Sequence, residues 1–169
     1  MIDGLLRDLQ QPEYVHVLIN PLPVYGLAVA LFGLLAATYF GSHGGQRAAL
    51  VVIFAVAASA WPVAHYGDEA FDRVLSMSDE TGQAWLEAHA RRADNLVWMF
   101  YVLAAVSAGA IFVPGRWPRT ATPLLIATIL LAAASLGAGG YIAYTGGKIR
   151  HREFRNVPPP PRQPGGEMH

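Results

Sequence analysis

The sequence predicts an all-α membrane protein, a four-transmembrane-helix bundle, and two observations support this prediction. Hydrophobic residues make up 53% of the 169 residues and charged residues only 14%, about half the charged share of an ordinary soluble domain. Four uncharged runs are each close to the ~20 residues that a helix needs to cross the apolar core of a bilayer. Because a helix satisfies its own backbone polar groups in lipid, we expect these runs to pack as a helical bundle.

Residues 1–14 are predicted to form a short amphipathic helix in the membrane interface. Apolar residues recur there at helical spacing, opposite charged ones (Ile2, Leu5, Leu6 and Leu9 against Asp3, Arg7 and Asp8). The stretch lacks the basic start and the small-residue cleavage site of a signal peptide. We therefore expect the first hydrophobic segment to be retained.

The bundle itself is predicted over residues 15–151, with membrane-crossing helices at about 15–40, 48–66, 96–113 and 122–144. An even number of crossings places both termini at one membrane face, here called face A. The connections 41–47 and 114–121 are short, whereas 67–95 is predicted as a long polar loop on face A. Within that loop, Trp85, His89 and Arg92 recur at helical spacing, so residues 81–95 are predicted to extend the third helix outside the bilayer, with Ser78 as its N-cap. Residues 152–169 are predicted to be a proline-rich disordered tail.

Charge and composition exclude several classes of function. Lys plus Arg and Asp plus Glu both number 12, so no net field favours nucleic acid. The chain has no cysteine, which excludes disulfides, thiolate catalysis, iron–sulfur clusters and thioether-linked haem. Eight basic residues lie near the helix ends on face A and three on the opposite face, so the positive-inside rule places both termini in the cytoplasm.

Four histidines are the candidate cofactor-binding and metal-ligating residues, because each predicted helix contributes one of them at face A. They are His16, His65, His89 and His151, while His43 and His169 lie outside the set. Neutral imidazole is a good ligand for haem iron, copper and zinc. A pair among the four would hold one b-type haem. The alternative is that these are separate interfacial histidines with no shared ligand.

Two other uses of the same residues stay open. A metal site without porphyrin would combine His65 with Asp68 or Glu69, and His89 with Glu87, although no spacing matches a recognised zinc motif. A quinone-facing, proton-handling site would use the same histidine and carboxylate. Its aromatic wall would come from residues near the helix ends (Trp61, Trp98 or Tyr101).

Small residues are dense in the second and fourth helices, at 55, 57–60, 132–135 and 137–140. Such residues allow helices to approach closely in lipid. They indicate either bundle packing or space for a flat cofactor.

Two segments resemble the bacterial DUF2231 family of four-helix membrane proteins. Residues 16–23, HVLINPLP, resemble the family's opening run His-Pro-x-x-Val-His-Phe-Pro, and residues 139–147, GGYIAYTGG, resemble its closing run Gly-Gly-x-Leu-Val-Tyr-x-His-Gly. Pro21 and Gly146 stand where the family has its second and its closing histidine, and His151 is five residues later. The resemblance implies a haem-associated redox role, supports His16 and His89 best, and implies a multi-pass protein of the bacterial inner membrane.

The function predicted from these observations is a redox subunit of a respiratory membrane complex. It would bind b-type haem through two of the four histidines and carry electrons between quinone and a cytochrome or other membrane partner. The alternative is a non-catalytic structural or assembly subunit that packs a larger complex through its small-residue faces. Ion or solute transport has less support, because none of the four runs carries a charge. The sequence contains no direct evidence of catalysis.

Overall fold

A computed structural model describes residues 2–161, and within that range the chain is helical and contains no β-strand. The predicted all-α bundle is confirmed. Eight α-helices follow one another: α1 (Ile2–Asp8), α2 (Pro12–Ile19), α3 (Leu27–Tyr39), α4 (His43–Ala58), α5 (Ala60–Ser76), α6 (Glu80–Leu96), α7 (Trp98–Phe112) and α8 (Ala121–Arg150).

The helices join into four long spans, each long and apolar enough to cross a membrane. They are the first span Pro12–Tyr39, the second His43–Ser76, the third Glu80–Gly115 and the fourth Pro118–Arg150. The second span has 34 residues and is therefore about 51 Å long at 1.5 Å per residue, against about 30 Å for the bilayer core. Helical ends therefore project beyond the apolar layer, as expected of a multi-pass membrane protein.

Consecutive spans pack against each other, and the fourth packs against the first. The first and third spans consequently lie diagonally across the bundle. Large apolar side chains fill the middle of the bundle, where Leu27, Leu34, Ile53 and Leu103 are fully buried. Others point outwards, including Phe32 at 75% and Phe40 at 78% exposure. Such outward apolar surface matches contact with a lipid bilayer.

Two spans are interrupted near prolines. In the first span, Pro21 and Pro23 lie at the π-helical turn Leu22–Gly26 between α2 and α3. In the second span, Pro62 follows the junction of α4 and α5 at Ser59. Proline has no N–H to donate to the carbonyl four residues earlier, so a helix tends to kink or break at this point. The Oγ of Ser59 donates a hydrogen bond to the carbonyl of Val56 at 2.7 Å beside the junction.

The predicted helical extension at 81–95 is confirmed by α6, whereas residues 67–76, predicted as part of a polar loop, are helix. The α5 helix continues to Ser76 and α6 begins at Glu80, so three residues connect them. The cap also differs from the prediction. Asp79 accepts a hydrogen bond from the N–H of Gly82 at 2.9 Å, whereas Ser78 donates its hydroxyl to the carbonyl of Val74.

Short segments flank the four spans at both ends of the described chain. The α1 helix lies within the segment predicted to be interfacial, and its position relative to a membrane stays a prediction. At the other end, residues 152–161 form a 3₁₀ turn at Arg152–Phe154 and an extended proline segment beside the start of α6. The rest of the predicted disordered tail, 162–169, lies outside the described residues.

Candidate functional site

Two histidines face each other across the diagonal of the bundle. His16 comes from α2 in the first span and His89 from α6 in the third. Their ring centres are 6.5 Å apart and their planes stand at 87° to one another. This arrangement brings together two residues that are 73 positions apart in the sequence and that the histidine pattern had singled out.

Each imidazole is hydrogen-bonded through its Nδ1 to a carbonyl of an adjacent span. Nδ1 of His16 lies 2.8 Å from the carbonyl oxygen of Val63, and Nδ1 of His89 lies 3.1 Å from that of Ile142. A carbonyl can only accept, so in each neutral ring the proton is on Nδ1 and the lone pair is on Nε2. Among the described residues, no hydrogen bond engages either Nε2. Both rings therefore have the tautomer that a metal-binding imidazole needs.

A glycine makes room for each ring. A Cβ added to Gly67 in α5 would lie 3.0 Å from Cε1 and Nδ1 of His16. A Cβ added to Gly146 in α8 would lie 3.1 Å from Cε1 of His89. Each ring thus rests against helix backbone, in a notch that a side chain would fill.

A cavity of about 750 Å³ surrounds the two rings. Small side chains line much of it, at Ala60, Ala64, Gly67, Ala90, Ala93, Gly139, Ala143 and Gly146. They come from α5, α6 and α8, so three spans leave a space at the level of the histidines. The small-residue density that the sequence showed in the second and fourth helices contributes part of this space.

Charged residues also line the cavity. Arg73 of α5 forms an ion pair with Glu13 of α2, with 3.0 Å between Nε and Oε1, and also donates to the side chain of Gln11. Arg150, at the end of α8, lines the cavity as well. The contacts of Arg73 thus join the start of the first span to the second span, and Arg73 lines the same cavity as His16.

The other two candidate histidines lie elsewhere. His65 is outside the cavity, with its side chain 49% exposed, 3.5 Å from Glu69 and stacked 5.5 Å from Trp61. His151 follows the end of α8, is 58% exposed and lies 2.9 Å from Glu153. Because neither side chain lines the cavity, the structure brings together His16 and His89 and leaves His65 and His151 apart from them.

The donor set suits some ligands better than others. Within residues 2–161, no group of three or more His, Cys, Asp or Glu side chains could hold a metal ion. A bare zinc ion usually takes four ligands, whereas a haem iron already has four porphyrin nitrogens and needs two more at most. Two imidazoles that share one metal at about 2.0 Å have ring centres about 6 Å apart. The spacing of 6.5 Å is close to this value, so the two imidazoles could supply the two ligands that a haem iron needs, and the carboxylates near His65 do not complete a metal cluster.

Four residues of this site were not predicted from the sequence as site residues: Val63, Gly67, Ile142 and Gly146. Val63 and Ile142 act through their backbone carbonyls, which residue type does not reveal. Gly67 and Gly146 lie just beyond the ends of the helices predicted at 48–66 and 122–144, so the sequence did not mark them as glycines inside a helix. Comparison with known proteins adds no further residue, because the chain matches no family model, no curated protein and no solved structure.

Proposed function

We propose that this protein is a membrane redox subunit that binds one b-type haem between His16 and His89. The observation that carries the proposal is the facing pair of imidazoles at 6.5 Å, each with Nδ1 held by a carbonyl and Nε2 left for a ligand. When bound, a haem would supply reversible one-electron chemistry. We also propose that the chain is related to the DUF2231 family, whose resemblance implies a haem-associated role.

The chain's own residues would do three things for such a group. His16 and His89 would hold the iron, and the hydrogen bonds from Nδ1 would fix the ring orientation and make Nε2 more basic. The small side chains around the rings would leave room for a flat macrocycle. The apolar core at Leu27 and Phe100 would keep the inner side of the site dry.

Electron exchange with quinone is the second part of the proposal, and its support lies on the outer surface of the second span. His65 stacks on Trp61 with an angle of 7° between the planes, and it pairs with Glu69. An imidazole that can donate a hydrogen bond beside an exposed aromatic plane suits the carbonyl groups of a quinone headgroup. In this proposal His65 contacts quinone rather than iron, and a separate membrane or cytochrome partner accepts the electron.

The test is a reduced-minus-oxidised visible spectrum of the detergent-purified full chain, expressed with added haem precursor, with haem measured on the same sample. We expect a low-spin spectrum and about one haem per chain. His16→Ala and His89→Ala should each lose most of the haem. His65→Ala and His151→Ala are the matched controls and should keep it, because their side chains lie outside the cavity.

Two outcomes would overturn the haem proposal: a colourless wild-type protein, or full haem occupancy after replacement of both His16 and His89. Loss of haem in His65→Ala alone would move the site to the outer surface of the second span. For the quinone part, His65→Ala should slow reduction by a soluble quinol analogue while leaving the spectrum unchanged.

A structural or assembly role is the second candidate, and an exposed stripe on α8 favours it. Ala133, Gly137 and Gly140 are exposed along one side of this helix, and small residues allow a second helix to approach closely in lipid. This proposal predicts a stoichiometric membrane partner that is lost in Gly137→Leu. Purification from native membranes as a lone monomer would contradict it.

A further inference from the structure

We infer that Gly67 and Gly146, with the carbonyls of Val63 and Ile142, are positioning residues that hold the two imidazole planes perpendicular. The inference rests on the proposed haem site and deepens it. It states how the fold sets the electronic structure of the iron, beyond which residues ligate it.

The same device is built twice, once on each side of the site. His16 contacts Gly67 and donates to the carbonyl of Val63, four residues earlier in α5. His89 contacts Gly146 and donates to the carbonyl of Ile142, four residues earlier in α8. In a helix, residues four apart lie one above the other on the same face. Each ring therefore meets a notch and an acceptor on one helical face.

These two contacts together fix the rotation of each ring. The Nδ1–H lies in the ring plane, so a bond of 2.8 Å or 3.1 Å to a fixed carbonyl sets the direction of that plane. A Cβ at Gly67 or at Gly146 would lie within 3.2 Å of Nδ1 and Cε1 of the neighbouring ring, so each ring occupies space that only glycine leaves open. Because the acceptors are on different spans, the two planes are set independently, and their angle is 87°.

The angle between ligand planes has a spectroscopic consequence for low-spin ferric haem. Parallel imidazole planes interact through their π orbitals with the same iron d orbital and separate it from its partner. Perpendicular planes interact with the two orbitals equally and leave them nearly equal in energy. Perpendicular planes therefore give a strongly anisotropic electron paramagnetic resonance signal at low field, and parallel planes give a three-line rhombic signal.

The experiment is low-temperature electron paramagnetic resonance of the oxidised, haem-loaded full chain and three variants. Wild type should show the low-field anisotropic signal. Gly67→Ala and Gly146→Ala should convert at least half of it to a rhombic or high-spin signal, because the added methyl group displaces a ring. Gly137→Ala is the matched control on α8, since no described atom lies within 4 Å of its Cβ position, and it should keep the wild-type signal.

The outcomes separate this inference from the proposed function. A wild-type protein that binds haem but gives a rhombic signal overturns the perpendicular arrangement alone. Unchanged signals in both Gly67→Ala and Gly146→Ala overturn the positioning role. A colourless wild type overturns the proposed haem site and this inference with it. Should either alanine variant fail to fold, the wild-type signal still decides the arrangement.

Discussion

The guanidinium of Arg155 donates from Nη1 to both carboxylate oxygens of Asp79, at 2.9 and 2.8 Å, across 76 residues of sequence. The same side chain donates from Nε to the carbonyl of Lys148 and from Nη2 to that of Ile149. One arginine beyond the fourth span thus joins the N-cap of α6 to the last turn of α8. His89 of α6 bonds to Ile142 of α8, so this clamp and the candidate site join the same two helices.

We expect Arg155→Ala to lower the melting midpoint of the detergent-solubilised protein by about 3–6 °C. The Arg155 side chain is only 10% exposed and makes several hydrogen bonds, and its loss removes two hydrogen bonds from Asp79 and one from each of two carbonyls. Arg152→Ala is the control. Arg152 also contacts Asp79, at 3.2 Å, but it is 77% exposed, and exposed ion pairs contribute little to stability. Equal midpoints for the two variants would contradict the clamp.

The same clamp predicts a loss of stability in acid. The hydrogen bond from Arg155, and then that from the N–H of Gly82, lower the pKa of Asp79. A carboxyl with a lowered pKa in the folded state stabilises the fold above its ordinary value of about 3.9. That stabilisation is lost as the pH falls below this value and through the lowered pKa.

Thermal melts between pH 7 and pH 2.5 should therefore show a drop below pH ~4 that is smaller in Asp79→Asn. Glu153→Gln is the control, because hydrogen bonds from its own N–H and from His151 also lower the pKa of this exposed acid. We expect Glu153→Gln to keep most of the drop. If Glu153→Gln removed the drop and Asp79→Asn kept it, the acid sensitivity would come from Glu153, and the prediction for Asp79 would be wrong.

The sequence predicted the four spans because uncharged runs of this length have few alternatives in lipid. It did not predict how far the helices continue. Residues 67–76 carry Asp68, Glu69 and Asp72, and this polarity suggested a loop. In the structure those acids are exposed while Ala70 is buried, as in an amphipathic helix outside the membrane.

The rotation of each helix was not predicted from the sequence, and it decides which histidines meet. Successive residues of an α-helix are about 100° apart, so His65 points about 200° away from Gly67. Gly67 faces His16 inside the bundle, and His65 consequently faces outwards. The exposed acids of α5 indicate this rotation only once residues 67–76 are known to be helix, and their polarity had suggested a loop.

A buried lysine in α8 yields a prediction about stability. Lys148 is 3% exposed, its Nζ lies 4.4 Å from the ring centre of Trp85 and 4.0 Å from that of Tyr144, and it donates to the Tyr144 hydroxyl at 2.7 Å. We expect Lys148→Met to lower the free energy of unfolding by about 1–2 kcal/mol, because a desolvated cation–π interaction is lost.

Titration with denaturant in detergent would measure that change. Tyr144→Phe is the matched variant, because it keeps the ring and removes the hydroxyl that accepts from Lys148, at a cost of about 1 kcal/mol. A Lys148→Met protein as stable as wild type would mean that the cost of burying the ammonium equals the gain from the two rings.

Two adjacent glycines of α8 should respond to alanine in opposite directions. A Cβ at Gly139 would lie 3.0 Å from Cγ2 of Val24 and 3.2 Å from Cζ of Phe100. These side chains belong to the first and third spans and line the cavity. Gly139→Ala should therefore push the spans apart and lower the free energy of unfolding by about 1–3 kcal/mol, the usual cost of overpacking.

At Gly140 no described atom lies within 4 Å of the Cβ position. Alanine there avoids the backbone entropy cost of glycine, so Gly140→Ala should be neutral or stabilising by up to about 1 kcal/mol. The two variants have the same composition and differ by one position on one helix, so a difference between their unfolding midpoints reports packing alone. If Gly139→Ala were as stable as Gly140→Ala, the first and third spans would not approach α8 as closely as these distances require. The part of the cavity that Val24, Phe100 and Gly139 line would then be wider than these distances indicate.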